Sequence, residues 1–151
     1  MRLHFGAIAF IVLISATCSK YNGPETGNKR SQNEIPAESV DLNGDGVEDR
    51  VSIVKDSARN VTLTAEIKLP NGIKKESLKF YVARGKQDGF CSWPVELIAE
   101  PLDYDPDPAV GPLQGYVKSD RTVGLRISDG ECDDFHLYWN HVSQSIDWWR
   151  P

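Results

Sequence analysis

Apolar residues recur at every second position through most of this chain, the period of a strand with one buried face. Val61, Leu63, Ala65, Ile67 and Leu69 alternate with polar neighbours, Pro70-Asn71-Gly72 turns the chain, and Leu78, Phe80 and Val82 alternate on the return, which predicts a hairpin. Upstream, Val51 and Ile53 point inward against Arg50 and Ser52. Downstream, Val123, Leu125 and Ile127 predict one strand, and Phe135, Leu137 and Trp139 a second whose intervening His136 and Tyr138 face solvent. Asn140-His141 then turns the chain toward Ile146-Asp147-Trp148-Trp149. Phe90 to Ile98 reads as a further strand despite Pro94. Residues 101 to 112 hold four prolines and three aspartates, a density that predicts a loop with no regular element. No long segment has a 3.6-residue period, so the expectation is an all-β fold, a small antiparallel sandwich or barrel-like domain.

The first residues break this pattern. Arg2, the nearly uninterrupted apolar run Leu3 to Ile14 and the small residues Ser15-Ala16-Thr17 predict a signal peptide over residues 1–17, too short to span a bilayer, which needs about 20 residues. Residues 18–34 are polar and predict a flexible tether, leaving 35–151 as a single β-domain. The segment ending at Cys18 resembles the lipobox of bacterial lipoproteins, with Ser15 and Thr17 departing from its usual residues; plain secretory cleavage is the alternative. The resemblance implies acylation of Cys18 and, with Ser19 following, a place on the periplasmic face of the outer membrane in a bacterial cell envelope. An exported chain seldom keeps free thiols, so Cys91 and Cys132 are expected to form a disulfide rather than remain two buried thiols.

Without the leader the chain carries 16 basic and 22 acidic residues, a net of −6, because Arg2 is lost from the 17 basic residues. That balance disfavours nucleic acid and anionic lipid as partners and favours a basic protein, with the membrane reached through the lipid anchor only.

The densest chemistry lies in Asp41-Leu42-Asn43-Gly44-Asp45-Gly46-Val47-Glu48-Asp49. Oxygen donors stand at positions 1, 3, 5 and 9, with Val47 supplying a backbone carbonyl, a set suited to the six to eight oxygen ligands of Ca²⁺. A helical EF-hand is excluded, since its position 12 would be Ser52 and a strand follows. A polar hairpin turn is the simpler alternative, because Asn-Gly and Asp-Gly are common in turns. Asp41 to Val54 is similar to the calcium loop of FG-GAP and VCBS repeats, which implies a structural Ca²⁺ held by Asp41, Asn43, Asp45 and Asp49. One copy does not make a propeller.

Two further acidic groups, Asp103, Asp105 and Asp107, and Asp129, Glu131, Asp133 and Asp134, admit solvated loops, a second and weaker cation site, or a glycosidase-like carboxylate pair. There is no Gly-x-Ser-x-Gly, no zinc spacing and no assignable catalytic residue. Adjacent Trp148 and Trp149 point to opposite faces of a strand, so one is buried and the other exposed or at an edge. Trp149, with Arg150 beside it, joins Asp103, Asp105 and Asp107 as the expected partner-binding set. In outline the lipobox-like Cys18, the calcium loop and the acidic balance resemble periplasmic lipoprotein immunity proteins and lysozyme inhibitors. The resemblance implies a calcium-stabilised, non-enzymatic binding module directed at a basic envelope or secreted protein such as a peptidoglycan hydrolase. The alternatives are a small envelope hydrolase or carbohydrate-binding protein using the acidic loops and tryptophans, and a purely structural lipoprotein.

Overall fold

The computed structural model describes residues 33–151. The expected signal peptide, Cys18 and the expected tether up to residue 32 lie outside the described residues. Among the described residues nine strands form two sheets. Sheet A takes β1 (Glu34–Val40), β2 (Asp49–Lys55), β3 (Asn60–Leu69), β4 (Gly72–Val82) and β5 (Gly89–Phe90) in that spatial order; sheet B takes β6 (Glu96–Leu102), β7 (Ser119–Ser128), β8 (Phe135–Asn140) and β9 (Ser145–Trp149). All pairings are antiparallel except β4 with β5. The fold is a small β-sandwich.

Alternation explains the core. Val51 and Ile53 of β2, Val61, Leu63, Ala65 and Ile67 of β3, Leu125 and Ile127 of β7, and Phe135 and Leu137 of β8 are all buried in one cluster between the sheets. Phe80, Phe90, Phe135 and Trp148 close one part of it through tilted and edge-on ring contacts, with centroids 4.8–5.7 Å apart. Each fully buried large side chain contributes about 1.5–3 kcal/mol, so this layer dominates stability.

Several segments depart from the expected elements. β1 begins at Glu34, the last residue of the expected tether, and Lys55 N–H donates to Asn33 O. The segment escapes pattern reading because Pro36 and an irregular register between Ile35 and Glu38 interrupt its alternation. The strand expected over Phe90 to Ile98 is two elements: β5 ends at Phe90, and β6 starts at Glu96 in the other sheet. Pro94, with no N–H for a ladder, lies in the crossing. Conversely, β6 runs into the proline-rich segment. Pro101 pairs with Val123, tolerated because β6 is an edge strand, and a short 3-10 helix, Pro108–Val110, follows with Asp107 as its cap.

The disulfide joins the sheets. Cys91, just past β5, bonds Cys132 in the β7–β8 connection, with Cα atoms 5.9 Å apart. Among the described residues no helix is long and apolar enough to cross a membrane.

Candidate functional site

Residues 41–48 connect β1 to β2, and the side chain of Leu42 is buried in the core, which anchors the loop. Gly44 and Gly46 have φ of +76° and +86°, conformations that glycine adopts without strain. The acidic side chains bend back onto the loop. Asp41 accepts from the amides of Gly44, Asp45 and Gly46 at 2.7–3.1 Å. Asn43 Oδ1 accepts from Asp45 N–H, and Asp45 Oδ1 from Val47 N–H. Asp49 is 1 % exposed, with one oxygen accepting from Leu42 N–H and the other from Lys68 N–H, so it locks the loop to the end of β3. The Asn43 amide donates to Asp45 and to Lys68 O.

Burial raises the Asp49 carboxyl above its ordinary value of 3.8, Asp45 and Asp41 push the same way, and the two amides offset this only in part. A cation among these groups would relieve the strain of gathering them. The donors are hard oxygens throughout, which fits the chemistry of Ca²⁺. Among the described residues no three His, Cys, Asp or Glu side chains converge into a ready-made metal cage, since the loop amides occupy the carboxylates. Val47 has an exposed side chain, and Glu48 accepts from the Ser39 hydroxyl.

The second candidate region is the strap, residues 103–118, which lies across the outer face of sheet B. Tyr104, Val110, Leu113 and Tyr116 pack on the buried side chains of Leu102, Tyr138 and Trp149. Tyr116 OH donates to Tyr104 O at 2.9 Å, Tyr138 OH to Gln114 O at 3.2 Å, and His141 N–H to Gly115 O at 3.0 Å. Asp103, Asp105 and Asp107 all stand exposed on this rigid segment. Asp105, its side chain 84 % exposed, pairs with Lys118 at 2.7 Å, and Asp107 accepts from Ala109 N–H.

The strap overturns two expectations. Trp149 is only 7 % exposed: it stacks on His136 with centroids 4.3 Å apart and supports the strap. Trp148 faces the main core, so both faces of β9 are covered. Arg150 is also committed, lying 4.5 Å over the Phe135 ring and donating to Gly89 O at 2.8 Å. Neither His136 nor Tyr138 faces open solvent. Alternation placed them correctly on the outer side of the sheet but carried no information about what covers that side.

Beneath the strap lies a polar network that the sequence reading missed. Glu100 Oε1 receives Tyr104 OH at 2.9 Å and lies 2.8 Å from His136 Nδ1; Arg126 lies 3.8 Å from the other Glu100 oxygen and donates to Asp134. Burial, then Glu100, drives the Tyr104 hydroxyl far above its ordinary value, and burial with Asp147 pushes Tyr138 up to about 12. Both phenols therefore stay protonated as hydrogen-bond donors. No local spacing announces this network, because Glu100, Arg126 and His136 come from three strands.

Asp129 is structural. It accepts from the amides of Cys132, Glu131, Cys91 and Ser92. Burial opposes its charge, yet the four amides outweigh burial and hold the carboxyl below 3.8. Glu131 pairs with Arg84 and Asp134 with Arg126. This cluster clamps the disulfide and its surroundings.

No family model matches the sequence, and comparison with curated proteins and with solved structures finds no match.

Proposed function

We propose that this chain is an exported, calcium-stabilised β-sandwich that acts by binding, and that its acidic strap docks on a basic envelope or secreted protein such as a peptidoglycan hydrolase. The observation that carries this reading is the strap itself: Asp103, Asp105 and Asp107 are exposed on a segment already immobilised by aromatic packing and tyrosine hydrogen bonds. A preorganised loop avoids most of the ordering cost of association, and clustered negative charge steers a cationic partner. Ca²⁺, held by Asp41, Asn43, Asp45 and Asp49, serves the scaffold. The carbohydrate-binding or hydrolase alternative has less support, because Trp139 and Trp149 are buried and the Asp129 group serves the disulfide junction.

The test is capture of basic hydrolases from envelope extract at low and high ionic strength. Capture at low salt, weakened roughly tenfold or more by high salt or by D103N/D105N, supports the reading. No capture at low salt, or capture indifferent to both changes, overturns it. Asp107 is left intact because it caps the 3-10 helix.

A further inference from the structure

We infer that the outer face of sheet A is a docking surface for an anionic phospholipid membrane. Charge is segregated along the fold. Residues 50–86, covering nearly all of β2, all of β3 and β4, and the turns between them, hold nine basic and three acidic residues, net +6; residues 91–151 hold four basic and eleven acidic, net −7. The register of β2, β3 and β4 places Arg50, Lys68, Lys75 and Lys79 on the outward side, with Glu66 among them and paired with Lys75 at 2.6 Å. Ser52, Thr62, Thr64 and Ser77 lie between them on the same side. Ile73, 61 % exposed, Tyr81, 42 % exposed, and Val54 add apolar groups to this face.

Cationic groups interspersed with exposed aliphatic and tyrosine side chains suit a headgroup layer, where the charges meet lipid phosphates and the apolar groups enter the interface. The chain preceding this sheet fits the same occupant. β1 opens at Glu34 on the edge of sheet A, and the sequence between Cys18 and that strand carries Lys20, Lys29 and Arg30 against Glu25. On the export reading, an acylated Cys18 would stand about 16 residues before that strand. An acylated Cys18 would already hold the chain at the bilayer, and a basic face would add an electrostatic attraction that orients the domain there. Residues 33–49, on the β1 side of the same sheet, hold six acidic residues and no basic one, so the approach is through β3 and β4. The net charge of the whole chain argued against anionic lipid; averaging hid a basic face and an acidic remainder. The inference is independent of what the strap binds.

The test titrates the purified chain, processed as the cell processes it, with phosphatidylcholine vesicles and with vesicles containing about one-third phosphatidylglycerol. Any acyl anchor contributes alike to both, so the face is read in the difference. At low ionic strength the anionic vesicles should bind at least tenfold more tightly, and R50Q/K75Q/K79Q should remove most of that preference, at roughly fivefold per basic side chain. An unchanged melting curve for the variant excludes misfolding, since all three side chains point outward. Equal binding to both vesicles overturns the inference, as does a preference that survives the triple variant. Salt-sensitive self-association without lipid preference also overturns it, assigning the face to the acidic strap of a second copy.

Discussion

On the outer face of sheet A, Arg50, Lys75 and Lys79 are exposed and Thr64 is half-buried among them; on the outer face of sheet B, the corresponding outward residues of β8 and β9, His136, Tyr138 and Trp149, lie beneath the strap. Both faces follow the same two-residue alternation. Among the described residues, one remains an uncovered, basic and hydroxyl-rich surface, and the other gains a second apolar layer and a buried polar network. The difference shows that alternation specifies a side of the sheet and nothing about its cover, because the cover arrives from a segment with no periodicity of its own.

The largest test of this contrast is Trp149→Ala. If Trp149 supports the strap, its loss should cost about 3–5 kcal/mol, read as a lower denaturation midpoint, whereas an exposed tryptophan would cost less than about 0.5 kcal/mol. Removing the clamp that joins the two sheets, C91S/C132S, should cost about 4 kcal/mol in the chain-entropy model for a separation of 41 residues; chemical denaturation of the variant against the oxidised chain measures it.

The loop between β1 and β2 secures the end of sheet A as the strap covers sheet B. Calcium at a hundredfold excess over its Kd should stabilise the fold by about 2.7 kcal/mol, and D41N/D45N should abolish that gain in a melting experiment with and without chelator. A pH series sharpens this. In chelator, the raised Asp49 pKa means that the folded state holds the proton longer than the unfolded state, so its contribution to stability falls as pH rises from 3.8 through the raised value. Asp129 has the opposite sign: its contribution is present above 3.8 and is lost as pH falls through its lowered value. Bound calcium needs these carboxylates ionised, so it should reverse the Asp49 part and add its own loss of stability as pH falls to that of Asp129; a pH profile indifferent to calcium would count against the metal.

The smallest effects finish the comparison. Tyr104→Phe removes a hydroxyl bonded to Glu100 beneath the strap and should cost about 1 kcal/mol. Thr64→Ala on the bare face should change stability by no more than about 0.5 kcal/mol. Equal costs for the two would dissolve the distinction between the faces.

Much of the sandwich was legible from alternation alone: β3, β4, β7 and β8 follow Val61 to Leu69, Leu78 to Val82, Val123 to Ile127 and Phe135 to Trp139. The loop between β1 and β2 and the pairing of Cys91 with Cys132 were legible too, the first from alternating oxygen donors and glycines, the second from cysteine arithmetic on the expectation of export. β1 was missed because its alternation is broken at Pro36, and the Phe90–Ile98 strand was misread because a change of sheet leaves no periodic mark. Trp149 and Arg150 were placed at a partner's surface because an aromatic at a chain end carries no sign of whether a distant loop will fold over it.

By itself the sequence determined which residues face the core, since strand geometry sends every second side chain to the same side and apolar surface leaves water whichever sheet it joins. It also carried the oxygen-rich loop, because those donors lie within nine consecutive residues. Only the tertiary structure decided that the strap buries Trp149 and Tyr138, that Glu100, Arg126 and His136 meet, and that the basic residues gather on the open face of sheet A. Those outcomes depend on residues far apart in the chain being brought within a few ångströms, and no local period encodes such distances.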